Sequence, residues 1–532
     1  MNGKRIGAAV GAGVAAGLLA LVISAAAGAS AKQAHAVKFK NGGTFTVAMT
    51  NGEPDALDPT LARTFSGREV FLTMCEKLYD LNKQTQIVPQ LAAALPTVSS
   101  DKLSMTVKLR HGIKFNDGTP FNAAAVVKTE MHYLTATGSV RASEISAVKS
   151  VTAKGKYAVV FHLKAPYSPL TAQLADRAGM ILSPKALGKL GLNFARSPVC
   201  VGPFMYKGRI AGDSITVVKS PFYYAKNKVH FAKIVFKIYN DTTAAAQALK
   251  AGTVQAIDAI APTDIPSIKA DNALNVIKAA GLGYGGITIN IGNKNGLLKL
   301  PYQNVGTDLA SSPKLREAFE MAINRNTLNK VVFNNTVLPG CTPISPSSSW
   351  FDKSIKCTPY NPNQAKQLVK ASGISNPTVN LMVPTGTVAL REAQFIQAEE
   401  AAVGIKLNVQ STDFVTSLSK ADAGTFDAFL IGWSGRVDPD GNIYGFVATP
   451  GTLNDSGYSN AHLDRFLNRA RSASTTKARK AYYKAAVTQI INNRPLIYLD
   501  HPITYSGITK KVSGVTLYPD TLLRVAFAGY TK

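Results

Sequence analysis

Apolar and polar positions alternate with a period of two in several short stretches of the chain. Residues 43–48, 103–109 and 157–163 each read as a half-buried strand. Residues 215–218, 234–238, 287–290, 378–383, 405–410 and 428–433 are further strand candidates, rich in Ile, Val and Thr. Between them the apolar spacing widens to that of a helix. Helices are expected over 69–79, over a segment capped by Asn122 that runs through Tyr133, and over 243–251, 313–333, 363–372, 391–403 and 477–492. Gly252, Gly373 and Gly404 stand where three of these should stop, and Pro313 stands at the start of another. Strands alternating with helices over this length predict an α/β protein with more than one sheet.

The chain has 532 residues, 46% of them hydrophobic and 17% charged. It is too long for one compact core, so two or more lobes are expected. A mean hydropathy of +0.04 excludes a disordered chain. The formal net charge of +27 points to a basic surface or an anionic partner. Nucleic acid is not expected, because Lys and Arg are scattered and no basic run is interleaved with aromatics.

The N-terminus carries an export signal. Lys4 and Arg5 precede a run of Ala, Gly, Val and Leu with no charge before Lys32. The run ends in Ala29-Ser30-Ala31, a small-x-small cleavage site, with Ala34-His35-Ala36 as a second candidate. It is also long enough to remain as a membrane anchor, for which about 20 residues suffice. Residues 1–36 are therefore assigned as signal peptide or anchor.

An even number of cysteines in an exported chain suggests disulfides. Cys341 and Cys357 bracket a Pro- and Ser-rich loop whose closure is worth roughly 3 kcal/mol. That leaves Cys75 with Cys200 as a long-range staple, with free buried thiols as the alternative.

Motifs for catalysis are missing. There is no H-E-x-x-H, no G-x-S-x-G and no P-loop, and no metal site or cofactor is expected. Residues 281–286 satisfy G-x-G-x-x-G, but a strand follows where a dinucleotide site needs a helix. A hinge or a close backbone approach is the better reading. Asp438-Pro439-Asp440-Gly441-Asn442 reads as a capped turn more readily than as a Ca²⁺ loop, since no distal Glu follows. The stretch 432–438 is the most ligand-like. Trp433 offers a stacking face, and Arg436 can grip a carboxylate or pair with a nearby Asp.

Ordered segments along most of the chain resemble the extracellular solute-binding proteins of family five. They are Pro89-Gln90-Leu91-Ala92, the stretch 107–121 (VKLRHGIKFNDGTPF), Gly202-Pro203-Phe204, Leu249-Lys250-Ala251-Gly252, Leu315-Arg316-Glu317-Ala318-Phe319 with Ala322-Ile323-Asn324-Arg325, Tyr360-Asn361-Pro362, and Gly432-Trp433. The resemblance implies an α/β, two-lobed periplasmic-binding-protein-like fold (class II, large cluster C type) with an extra subdomain in the first lobe. Residues 37–75, 201–285 and 506–532 would form the first lobe, 76–200 the extra subdomain and 286–505 the second lobe. The chain would cross near Tyr284 to Asn290 and return near Tyr505, and Cys75 would lie close to Cys200.

The function implied is the substrate-binding component of an ABC importer, a monomer that delivers a peptide or similar solute to the permease subunits outside the cytoplasmic membrane. The alternatives are a binding protein for a non-peptide anionic solute or metal chelate, and a chemoreceptor-coupled sensor. Trp433, Arg436, Asp438, Tyr284, Phe65 and Arg68 are the expected ligand contacts. Peptide-binding relatives place an Asp shortly after the Gly-Trp pair to meet the peptide's amino group. Arg436 stands there instead, which favours an anion.

Overall fold

The computed structural model describes residues 37–532, so the export segment lies outside the described residues. Strand Thr44–Met49 runs parallel to Lys233–Ile238 and to Ala256–Ile257, as in an α/β half. Strand Thr378–Pro384 runs parallel to Lys406–Thr412 in a second such half. The two meet in one twelve-stranded sheet because a single long strand, Leu496–Thr509, belongs to both. Its first residues pair with Tyr284–Ile289, and its last residues pair with Leu274–Ala280 and Ala256–Ile257. The chain therefore crosses between halves twice, at 281–283 and near 500–503.

The apolar cores respect this division. One cluster gathers buried residues from Phe45 to Phe236, with Ile508 to Ala528 returning from the C-terminus. Others gather Ile287 to Leu499 and Tyr284 to Tyr498 on the far side of the crossing. We call these the first and second halves. Within the first half, a separate four-stranded sheet (Thr97–Val98, Ser104–Lys108, Ala158–Leu163, Val148–Ala153) packs under helix Ala123–Thr135. Asn122 caps that helix by accepting from the Ala125 amide, as expected.

The Gly-rich stretch 281–286 is a close backbone approach. A Cβ at Gly283 would stand 1.9 Å from the Trp433 carbonyl oxygen, and one at Gly286 would stand 2.4 Å from that of Ile497. The glycines let the crossing strand lie against its neighbours. Both disulfides form, Cys75–Cys200 and Cys341–Cys357. Two helices differ from expectation. The one over 69–79 is Phe65–Met74, because Cys75 turns extended into its disulfide and Tyr79 begins a strand. The one over 313–333 is split into Pro313–Ala322 and Arg325–Val331. Asn324 caps the second piece by accepting from the Thr327 amide, so its side chain competes with helix continuation.

Among the described residues, no helix is long and apolar enough to cross a membrane. No group of three or more His, Cys, Asp or Glu there is arranged to hold a metal ion.

Candidate functional site

Strand Ala428–Trp433 lies antiparallel to Tyr284–Ile289, with Tyr284 opposite Trp433 and Gly285 opposite Gly432. The chain then leaves the sheet in a loop tied together by one side chain. Asn442 accepts from the Arg436 amide at 2.6 Å and from the Trp433 indole at 3.1 Å, and it donates back to the Arg436 carbonyl at 3.0 Å. Phe446 meets the Trp433 ring edge-on at 4.8 Å, and the Arg436 guanidinium lies 4.2 Å from the ring centre. Trp433 is thereby held as a fixed wall.

That wall borders a cavity between the halves. Tyr284, Trp433, Phe446, Asp455 and Tyr498 line it from the second half, and Arg63, Arg141 and Arg177 line it from the first. The arginines are set by the loop before helix Phe65–Met74. Asp55 accepts from the Arg63 amide at 2.8 Å and from the Thr64 hydroxyl at 2.8 Å. This fixes the Ala62 carbonyl, which accepts from Arg177 at 2.7 Å and from Arg141 at 3.3 Å.

Five buried side chains on this cavity keep a polar atom without a partner: Arg141 Nε, Arg177 Nε, Tyr284 Oη, Tyr498 Oη and Asp455 Oδ1. Buried polar groups are normally satisfied, and orphans gathered on one cavity need an explanation. The charge is also unbalanced. Arg68, Arg141, Arg177 and Arg436 share two ion-pair partners, Asp176 and Glu144, with Asp520 and Glu69 acting on Arg68 from further off. Burial, followed by repulsion from Arg141, holds the Arg177 guanidinium well below its ordinary value. Burial and then Arg68 push Arg436 down to about 10, against the attraction of Asp176. Burial would raise Asp176, but Arg436, Arg68 and Arg177 together hold it well below the usual carboxylate range.

The six expected contacts separate. Tyr284 and Trp433 line the cavity, whereas Phe65, Arg68, Arg436 and Asp438 are not among its lining residues. Arg436 and Arg68 border a narrower void beside it. Arg436 reaches across to the Asp176 carboxylate of the other half, and Arg68 donates to Ser434 at 2.9 Å. These two arginines join the halves. Asp438 is taken up by both Nη atoms of Arg479 at 2.8 Å, and Asp440 by Arg471 at 2.6 and 2.9 Å. The acidic turn is thus occupied by guanidinium groups, as a capped turn would be.

Arg63, Arg141, Arg177, Asp455 and Tyr498 were not among the expected contacts. One signal existed for Arg177. It sits with Asp176 inside an apolar run from Leu174 to Leu182, where a charged pair is costly unless it has a task.

The chain matches the family model of the bacterial extracellular solute-binding proteins, family 5 (middle), over residues 86–454. It belongs to that family. The family 5 relatives include the glutathione-binding protein GsiB of Escherichia coli O1:K1 / APEC, 30% identical over 480 residues, covering 87% of this chain and 90% of the relative. Another is di/tripeptide-binding protein 2 of Pseudomonas aeruginosa (strain UCBPP-PA14), 27% identical over 508 residues, covering 88% and 92%. The fold is shared with the oligopeptide-binding protein AppA of Bacillus subtilis, solved with a nonapeptide (TM-score 0.83, 23% identity, 93% of this chain and 100% of that one). It is shared equally with the Escherichia coli murein tripeptide binding protein MppA (TM-score 0.83, 20% identity, 93% and 99%). As a family 5 member, the chain is a substrate-binding protein, and the two-lobed α/β architecture expected from its sequence is that of its structural neighbours.

Proposed function

We propose that the chain is the non-catalytic substrate-binding component of an ABC importer, acting outside the cytoplasmic membrane, and that its solute carries at least one carboxylate. The unpartnered guanidinium nitrogens of Arg141 and Arg177 on the cavity between the halves carry this reading. A carboxylate there would receive charge-assisted hydrogen bonds and relieve the repulsion between the two arginines. Trp433 and Tyr284 would supply the flat walls, while Arg436 and Arg68, through Asp176 and Ser434, would hold the halves shut around the solute. The likeness to glutathione- and di/tripeptide-binding relatives supports a short acidic peptide or peptide-like compound.

The test is a thermal-shift screen of the purified protein against acidic, neutral and basic di- and tripeptides, glutathione and small dicarboxylates. A ligand at a hundredfold excess over its Kd stabilises the folded state by about 2.7 kcal/mol. Compounds with a free carboxylate should raise Tm, their amidated forms should not, and Arg141→Met should abolish the effect. A shift as large with peptides whose carboxylates are all amidated would refute the reading.

A further inference from the structure

The first half carries a second surface, which shares no lining residue with the cavity between the halves. Two open grooves meet there, because Arg110 lines both. Lys108, His111 and Lys154 line one of them, at the end of the four-stranded sheet, and Lys228 and His230 line the other. Lys108, Arg110, Lys154 and Lys228 are exposed. Among the described residues, the one carboxylate on either lining is Glu76. It is buried, and its Oε1 accepts from the Tyr223 hydroxyl at 2.6 Å and from that of Tyr224 at 3.1 Å. Burial pushes its carboxyl up to about 7, so it opposes an anion less than an ordinary Glu would.

Aromatic rings stand between these cations. Tyr157 stacks on His111 at 4.0 Å in the first groove. Tyr224 and Phe527 line the second and are 41% and 46% exposed, large apolar side chains left in water. The surface ends where the chain emerges from the export segment. His230 stacks on Phe39 at 4.3 Å, and only Val37 and Lys38 separate Phe39 from Ala36. Val37, Lys38 and Lys40 are exposed as well. Exposed rings beside lysine and arginine suit the edge of a bilayer, where the rings sit at headgroup level and the cations reach phosphate. A soluble polyanion would use the cations alone. The rings and the position beside the export segment favour a membrane.

We infer that this surface lies on an anionic phospholipid bilayer, with Lys108, Arg110, Lys154 and Lys228 on headgroup phosphates and Tyr224 and Phe527 in the interface. Lipid contact then sets how the folded domain stands at the membrane, independently of solute binding and of whether residues 1–36 stay attached.

Phe39–Lys532 is a compact unit by itself, so the test uses residues 37–532, which removes any insertion by the export segment. Flotation with vesicles of phosphatidylcholine alone is compared with flotation on phosphatidylcholine and phosphatidylglycerol in equal parts. Binding is expected on the mixed vesicles only, and it should fall as salt rises. The triple variant Lys108→Glu, Lys154→Glu, Lys228→Glu should bind about a hundredfold more weakly or worse, at about fivefold per cation. A control, Lys366→Glu, Lys370→Glu, Lys406→Glu, removes the same charge from exposed positions of the second half and should lose far less. Phe527→Ser should weaken binding by about tenfold, since its ring no longer enters the interface. None of these positions lines the cavity, so solute binding in the thermal-shift screen should be unchanged. Failure of wild type to bind the mixed vesicles would overturn the inference, as would equal losses in the two triple variants. Dextran sulfate binding as tight as vesicle binding, with Phe527→Ser unchanged on both, would overturn it in favour of a soluble polyanion. Should the triple variant not fold, Lys228→Glu alone is read, with a loss of about fivefold or more expected.

Discussion

Asp176 is the one carboxylate that joins the two halves through Arg436, and its replacement by Asn tests the closing mechanism directly. Asp176 and Arg436 are 7% and 8% exposed, so the pair is desolvated. Removing one partner of a buried pair typically costs about 3–5 kcal/mol, because the survivor is left charged and unpaired. Here three arginines survive, Arg68, Arg177 and Arg436, so Asp176→Asn should sit at the upper end of that range. Only the Arg436 contact crosses between halves by way of this carboxylate. A hydrogen bond to a charged group contributes about 1.5–3 kcal/mol. The coupling energy in a double-mutant cycle of Asp176→Asn with Arg436→Met should therefore be about 1.5–3 kcal/mol in denaturant unfolding. Small-angle scattering should show Asp176→Asn more open than wild type. Because Asp176 is held well below its ordinary value, its contribution is present above the unfolded-state value and is lost only as pH falls through the lower folded value. The coupling should thus be the same at neutral and mildly acidic pH. A coupling under about 0.5 kcal/mol, the error of additivity between independent sites, would refute the reasoning.

Two further outcomes follow from packing and burial. Gly283→Val places a Cβ 1.9 Å from the Trp433 carbonyl oxygen, a backbone atom that cannot rotate away. It should lower stability by about 3 kcal/mol or more, read as a fall in Tm, whereas the same change at Gly208, which has nothing within 4 Å, should cost far less. Glu130 is fully buried with neither carboxylate oxygen partnered, and burial alone raises it well above its ordinary value. An acid raised in this way costs nothing at low pH and costs more as pH rises above its unfolded value, so Glu130→Gln should raise Tm by a margin that grows from mildly acidic to mildly alkaline conditions. A margin independent of pH would show that Glu130 does not titrate on folding.

The local elements were legible because their causes are local. Strand Ala428–Trp433 was readable in the sequence residue for residue, and Asn122 and Gly404 mark a helix start and a helix end by their own hydrogen bonding and backbone freedom. The split at Asn324 was missed for a reason of the same kind. Apolar period alone cannot show that one side chain prefers to cap. The site was legible only in part. Trp433 and Tyr284 stand on the cavity, but Arg436, expected to hold an anion from the ligand, is paired with Asp176.

What the sequence by itself determined is the kind of molecule: the α/β alternation, the glycine-dependent crossing, the cysteine staples and the motifs that carry family 5. Tertiary structure alone decided which charges face the cavity. Arg141 and Arg177 reach the Ala62 carbonyl from 79 and 115 residues away, and Arg63 reaches Asp422 across 359. A side chain's period along its own element shows whether it faces core or water. It does not show which distant element closes over it, and the charge of a pocket is a property of that meeting.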